Sequence, residues 1–195
     1  LGVVLGWRGA RDAARVHLRR SLALRPDSAE IRCNLSTVEL FRGALETGWR
    51  LHEARWARSG FPSRRPVTAA RRWEGPGDPA RRVMIWGEQG LGDEIFFAGL
   101  FPEALACIAE PIVVCDPRLV PLFRRTWPGA RYVARRDGRP GLPSVDAQIA
   151  AGSLPLLFRR RPGAFPGSGG YLGADPAAVT RWRRRLRALG RGPAI

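Results

Sequence analysis

Apolar and polar positions change rhythm twice along this chain. Over residues 1–58, as in "RDAARVHLRRSLAL" and "AEIRCNLSTVEL", apolar residues recur every three or four positions, the spacing of amphipathic helices. Residues 59–82 are rich in proline and glycine and have no period, which predicts a linker ordered in part by Phe61 and Trp73. Beyond it, short apolar runs alternate with helical patterns. Strands are predicted over 83–86, 112–115, 130–133 and 145–149, and helices over 93–108 and 119–124. The first of these helices carries Ile95, Phe96, Leu100 and Phe101, and Pro102 should kink or restart it. A last helix shows one apolar stripe of Val179, Trp182, Leu186 and Leu189 with arginines around it. Strand and helix in alternation predict a parallel sheet covered on both faces.

The helical part contains a repeat. Gly9 and Gly43 each sit in a short turn between two amphipathic runs, 34 residues apart. That period belongs to tetratricopeptide repeats, whose pattern is met by Leu1-Gly2, Leu5, Ala14 with Leu18, and Pro26. The second copy is worn, with Leu35-Ser36, Glu39, Gly48 and His52 at the matching places. Gly48 keeps a small residue at the close-packing site between paired helices, and a worn copy suits the end of a solenoid. A helical hairpin that merely has this spacing is the alternative. His17 and His52 are read as packing or surface residues.

Hydrophobic residues make up 45% of the 195 residues and charged ones 26%, a globular composition. No apolar run approaches the roughly 20 residues of a membrane helix, and the opening "LGVVLG" is too short for a signal core. Leu1 stands where Met would begin a chain, and "GRGPAI" reads as the first residues of another strand, so a fragment is expected at both ends. Cys33, Cys107 and Cys115 are odd in number and widely spaced, which predicts buried structural thiols in a reduced, cytoplasmic setting and no zinc set. The net charge of +16 invites nucleic acid, yet all 33 basic residues are arginine and no stacking platform of aromatics runs among them. No specific nucleic-acid partner is expected.

The chemistry concentrates in "RRVMIWGEQGLGDEIFFAGLFPEAL", where a predicted strand turns into a helix through three glycines and an acid. Ligands of parallel sheets sit at this edge, next to the helix N-terminus. Gly87, Gly90 and Gly92 permit positive φ and close approach to the backbone. Their G-x-x-G-x-G spacing is not the dinucleotide fingerprint, no G-K-[ST] follows, and Asp116 is the one acid placed as a possible ribose ligand. Asp93 has two compatible readings, the N-cap of the helix and a general base taking a proton from an attacking hydroxyl. Glu88 and Glu94 are expected to be solvated or paired with arginines.

The segments "GWRLHEARW", "RRWEG", "WGEQGLGD", "VVCDPRLVPLFRRTWPGA", "DAQIAAGSLPLLFR" and "GYLGADP" stand in this order along nearly the whole chain. In this the sequence resembles bacterial proteins in which tetratricopeptide repeats precede a heptosyltransferase-like domain, glycosyltransferase family nine. The resemblance implies a GT-B fold with an acceptor-side half, a donor-side half, and metal-independent inverting transfer. It places the base at Asp93 and a substrate-binding turn at Gly87, Glu88, Gln89, Gly90 and Gly92. Many relatives carry Gln and an Arg-Tyr pair where this chain has Phe96, Gly99 and Leu100. The donor half would lie beyond Ile195.

The expected fold class is therefore α+α/β. It comprises the C-terminal end of a tetratricopeptide array (1–58), a linker (59–82) and a Rossmann-like parallel-sheet half of a GT-B fold (83–195). The expected function is sugar transfer from a nucleotide-sugar to an acceptor hydroxyl in the full-length protein, with no metal and no resident cofactor. A protein or peptide partner would dock in the repeat groove, and the acceptor would be a sugar or peptide. A non-catalytic scaffold with a degenerate Rossmann-like module is the rival.

Overall fold

A computed structural model describes residues 1–135, 142–167 and 169–190. The "GRGPAI" segment expected to open a further strand lies outside the described residues, apart from its first glycine.

The N-terminal part is two helical hairpins, α1 (Gly2–Trp7) with α2 (Arg11–Leu24) and α3 (Ala29–Phe41) with α4 (Leu45–His52). Their two turns are the same turn. Gly9 and Gly43 both have left-handed φ, +80° and +78°. In each hairpin the glycine N–H donates to the carbonyl three residues back, and the next residue's N–H donates to the one five back: Ala10 to Leu5 and Ala44 to Glu39. This is a Schellman closure, and only glycine takes its left-handed position without strain. Small residues let the paired helices touch in both hairpins, at positions 34 residues apart: Gly2 lies against Ala14, and Ser36 Oγ donates to the Gly48 carbonyl at 2.8 Å. The buried core here is small, Ala14, Leu18, Leu35 and Val38. Glu39, buried on α3, ties it to α2 by accepting from Arg15 at 3.0 Å and Arg19 at 2.9 Å.

A 3₁₀ turn, Glu53–Ala57, ends the helical part. The remainder is a five-stranded, all-parallel sheet flanked by helices, so the molecule is of mixed helical and α/β class. The strands are β1 (Arg71–Arg72), β2 (Arg82–Trp86), β3 (Glu110–Cys115), β4 (Arg131–Ala134) and β5 (Ala147–Ala150), in the order β1-β5-β2-β3-β4. The strand at Arg71–Arg72 lies within the segment 59–82, read from the sequence as a linker ordered in part by Phe61 and Trp73. It pairs with Ala147 and Gln148 at the sheet edge, and Trp73 after it is buried in the main core.

The helix expected over 93–108 is two, α5 (Leu91–Ala98) and α6 (Phe101–Ala106), the second with Pro102 in its first turn where no N–H is missed. Then come α7 (Val120–Thr126), the short α8 (Leu154–Phe158) and α9 (Pro176–Ala188). Alternation along β2 splits the core. Val83 and Ile85 pack with Phe97, Phe101 and Phe123 on one face. Met84 and Trp86 pack with Val114 and Ala150 on the other, where Trp56 of the 3₁₀ turn covers them. On the second face Trp56 from the helical part packs beside Val133, Leu142 and Val145, whereas the alternating pattern had predicted helices on both. Of the apolar stripe of α9, Val179 is half-buried while Trp182, Leu186 and Leu189 are exposed. Among the described residues no helix is long and apolar enough to cross a membrane.

Candidate functional site

Strand β2 is central, and its chain leaves towards β3 while β5 flanks it on the other side. The crevice at the C-terminal ends of β2 and β5 is therefore the switch point where open parallel sheets receive ligands. The turn Gly87–Gly90 and the start of α5 rise directly above it. Gly87 still belongs to the sheet, its N–H donating to Val114 O at 2.7 Å.

Glu88 points into the crevice and is fully buried. It meets Arg55 from the 3₁₀ turn, itself 2% exposed. Nε donates to one carboxylate oxygen at 2.7 Å and Nη2 to the other at 2.9 Å, a forked pair. Nη2 also donates to Ser153 Oγ (2.8 Å), and Nη1 donates to Glu53 (2.8 Å) and the His52 carbonyl (3.2 Å), so all five guanidinium N–H groups are used. Glu53 takes further bonds from Ser153 Oγ and Arg72. Burial pushes the Glu88 carboxyl up and Arg55 opposes it. At Glu53 burial acts the same way, but Arg55, Ser153 and Arg72 together hold the group below the ordinary value. The expectation that Glu88 is solvated or paired is resolved as a fully buried pair.

Gln89 holds a left-handed φ of +61°, a conformation that costs a non-glycine residue on the order of 1–3 kcal/mol. Its N–H donates to Ser63 Oγ at 2.5 Å. The side chain faces the helical part, lining a cavity of about 280 Å³ with His52, Cys33, Asn34 and Thr37. Gly90 and Gly92 are exposed.

Asp93 is not the N-cap. Helix α5 begins two residues earlier, with Gly90 as its cap, so Asp93 is the third helical residue and its Oδ2 accepts from the Gly90 N–H at 3.1 Å. That is the returning half of a capping box, the other half being impossible for a glycine. Asp93 is half-buried, and among the described residues its Oδ1 takes no hydrogen bond.

Glu94, buried, turns the other way. Its Oε2 accepts from the Asp116 N–H at 2.8 Å, and Oε1 lies 2.8 Å from Arg135 Nη1, whose N–H is aimed at the Gly87 carbonyl. Burial raises the Glu94 carboxyl, opposed by the Asp116 amide and Arg135. Asp116 is engaged by Arg118 through both oxygens, which holds its carboxyl down at about 2.

Two glycines make room for these acids. A Cβ on Gly87 would stand 2.4 Å from the Glu94 carboxyl carbon, and one on Gly152 would stand 2.3 Å from Glu88 Oε1. So the structure gathers Glu88 and Gln89 against the helical part and leaves Gly90, Gly92 and Asp93 on the open rim. Sequence reasoning did not find Arg55, Ser153, Arg135 or Gly152, since pairs such as Arg55–Glu88 leave no local signal. Cys115 is buried, Cys33 half-buried and Cys107 exposed, which corrects the expectation of three buried thiols. Among the described residues no three His, Cys, Asp or Glu gather as a metal set.

Among curated proteins the chain is similar to Protein FlbA of Caulobacter vibrioides, 31% identical over 184 residues. The match covers 87% of this chain and 31% of FlbA, so the chain spans about a third of the length of that relative. No family model matches the chain, and no solved structure matches it.

Proposed function

We propose that this chain is the acceptor-side portion of a tetratricopeptide-repeat, glycosyltransferase-like protein of the GT-B type. In the full-length protein Asp93 would take the proton of an acceptor hydroxyl as it attacks a nucleotide-activated sugar with inversion. One observation carries the reading. Asp93 stands on the open rim of the turn after the central strand, one oxygen fixed by Gly90 and the other without a partner among the described residues. A carboxylate so oriented suits a general base. Exposed Gly90 and Gly92 beside it leave the backbone open to an acceptor or to the donor diphosphate. The proposal sets the protein in the cytoplasm, in keeping with its free cysteines. The repeats would dock a protein partner or a peptide acceptor in their groove.

A second reading, a non-catalytic scaffold, is favoured by Arg55, which fills the switch-point crevice with protein instead of ligand. The full-length protein separates the two, assayed for nucleoside diphosphate release from a panel of nucleotide-sugars with cell-extract acceptors. Asp93→Asn keeps an oxygen for the Gly90 amide and is expected to lower turnover by about 10²–10⁴-fold without loss of the fold. Unchanged transfer removes Asp93 from the base role. A wild-type protein inert with every donor favours the scaffold.

A further inference from the structure

We propose that the groove beside the 3₁₀ turn is a binding site for an acidic peptide segment of a partner protein. The groove, about 930 Å³, runs between α3, the end of α4, the Glu53–Ala57 turn and residues 63–65. Four arginines line it, Arg32, Arg50, Arg64 and Arg65, against one carboxylate, Glu53. That carboxylate is already engaged with Arg55, Ser153 and Arg72, so it does not neutralise the wall. Arg50 is held by Glu46 one turn back, and Arg32 reaches the Pro26 carbonyl. Arg64 and Arg65 are exposed, and among the described residues neither has a carboxylate within salt-bridge reach.

Two carboxylates of a guest can therefore take the forked donors of Arg64 and Arg65 without displacing another carboxylate, with the Arg65 guanidinium held over the Trp56 ring. Leu51, Ala54 and Ala57 give the floor an apolar strip, which fits a short apolar side chain between the acids. The wall is preorganised, because Arg55 pins the 3₁₀ turn to the sheet beneath it.

Nucleic acid is the competing polyanion, and the aromatic group decides against it. Base stacking needs an open ring. The one aromatic residue in the groove, Trp56, is already met by Arg55 at 4.5 Å, Phe61 at 5.0 Å, and Arg65 and Trp86 at 5.1 Å each. A volume near the upper end of ordinary ligand sites is also more than a lone phosphate fills. This site is separate from Asp93 and does not depend on the transferase reading.

The test is fluorescence anisotropy with the full-length protein and a labelled ten-residue peptide holding Glu on both sides of a Leu. Two competitors accompany it, the same peptide with Gln for Glu and a single-stranded oligonucleotide of equal charge. Arg64→Gln with Arg65→Gln is compared with Arg8→Gln and Arg20→Gln, an exposed pair remote from the groove that lowers net charge equally. The acidic peptide is expected to bind at least about tenfold tighter than its amide analogue. The groove pair should weaken it about tenfold or more, and the remote pair less than about twofold. Equal weakening by both pairs would show diffuse attraction and overturn the site. So would displacement of the peptide by the oligonucleotide at equal or lower concentration, or a Kd above about 1 mM for the acidic peptide.

Discussion

The two flanks of the central turn solve one problem in different ways. Each buries a glutamate over a glycine, Glu88 over Gly152 and Glu94 over Gly87. On the β5 flank the charge is met by an arginine from another part of the chain, sealed from water and with every donor used. On the β3 flank it is met by a backbone amide and by Arg135, which is about a third exposed. One flank is a joint between two parts of the molecule. The other is a rim that solvent can reach, and Asp93 stands on the rim.

The widest difference between the flanks should appear on removing each arginine. Arg55→Ala leaves Glu88 buried without its counter-charge and is expected to cost about 3–5 kcal/mol. Arg135→Ala leaves Glu94 its Asp116 amide and admits water, so about 1 kcal/mol is expected. Urea unfolding of both variants measures the gap, and equal losses would mean that the two flanks do not differ as described.

A somewhat smaller effect concerns pH. His52, whose carbonyl accepts from Arg55, is partly buried and its Nε2 has no partner among the described residues. Burial first, then Arg55, lowers its pKa from 6.5 to about 4, against a weaker opposite pull from Glu53. The folded form thus resists a proton that the unfolded chain accepts. Its contribution is complete above pH 6.5 and is lost as pH falls towards 4, on the order of 2–3 kcal/mol. His52→Gln should flatten that part of the stability profile relative to wild type. Superimposable profiles would remove His52 as the cause.

The smallest effect sharpens the glycine argument. Gly152→Ala drives a methyl into the Glu88 carboxylate and should cost about 1–3 kcal/mol, whereas Gly129→Ala, with open space around it, should be close to neutral. A neutral Gly152→Ala would show that the joint has room to shift.

Much of this fold was legible in the chain because apolar runs mark buried strands. The patterns at 83–86 and 112–115 fall inside β2 and β3. Strand β1 was not legible: Arg71–Arg72 are charged, and register with β5, not side-chain pattern, makes them a strand. At the site, the glycine turn and Asp93 stood out by composition and spacing. The cap was misassigned because the true cap, Gly90, has no side chain to announce it. Arg55 was hidden among 33 arginines, and its partner lies 33 residues away. Local pattern can find a residue that serves its own helix, but not one that serves a distant strand.

The two-residue strand at Arg71–Arg72 also has a mechanical consequence. It lies parallel to β5, with Trp73 locked behind it and Arg72 tied back to Glu53. A pull on the helical part therefore loads the Arg55–Glu88 joint first, and once that joint parts the load passes along the chain to β1 as shear at the sheet edge. The segment between the two parts works as a strap under load, and a force spectrometer would see it yield before the sheet does.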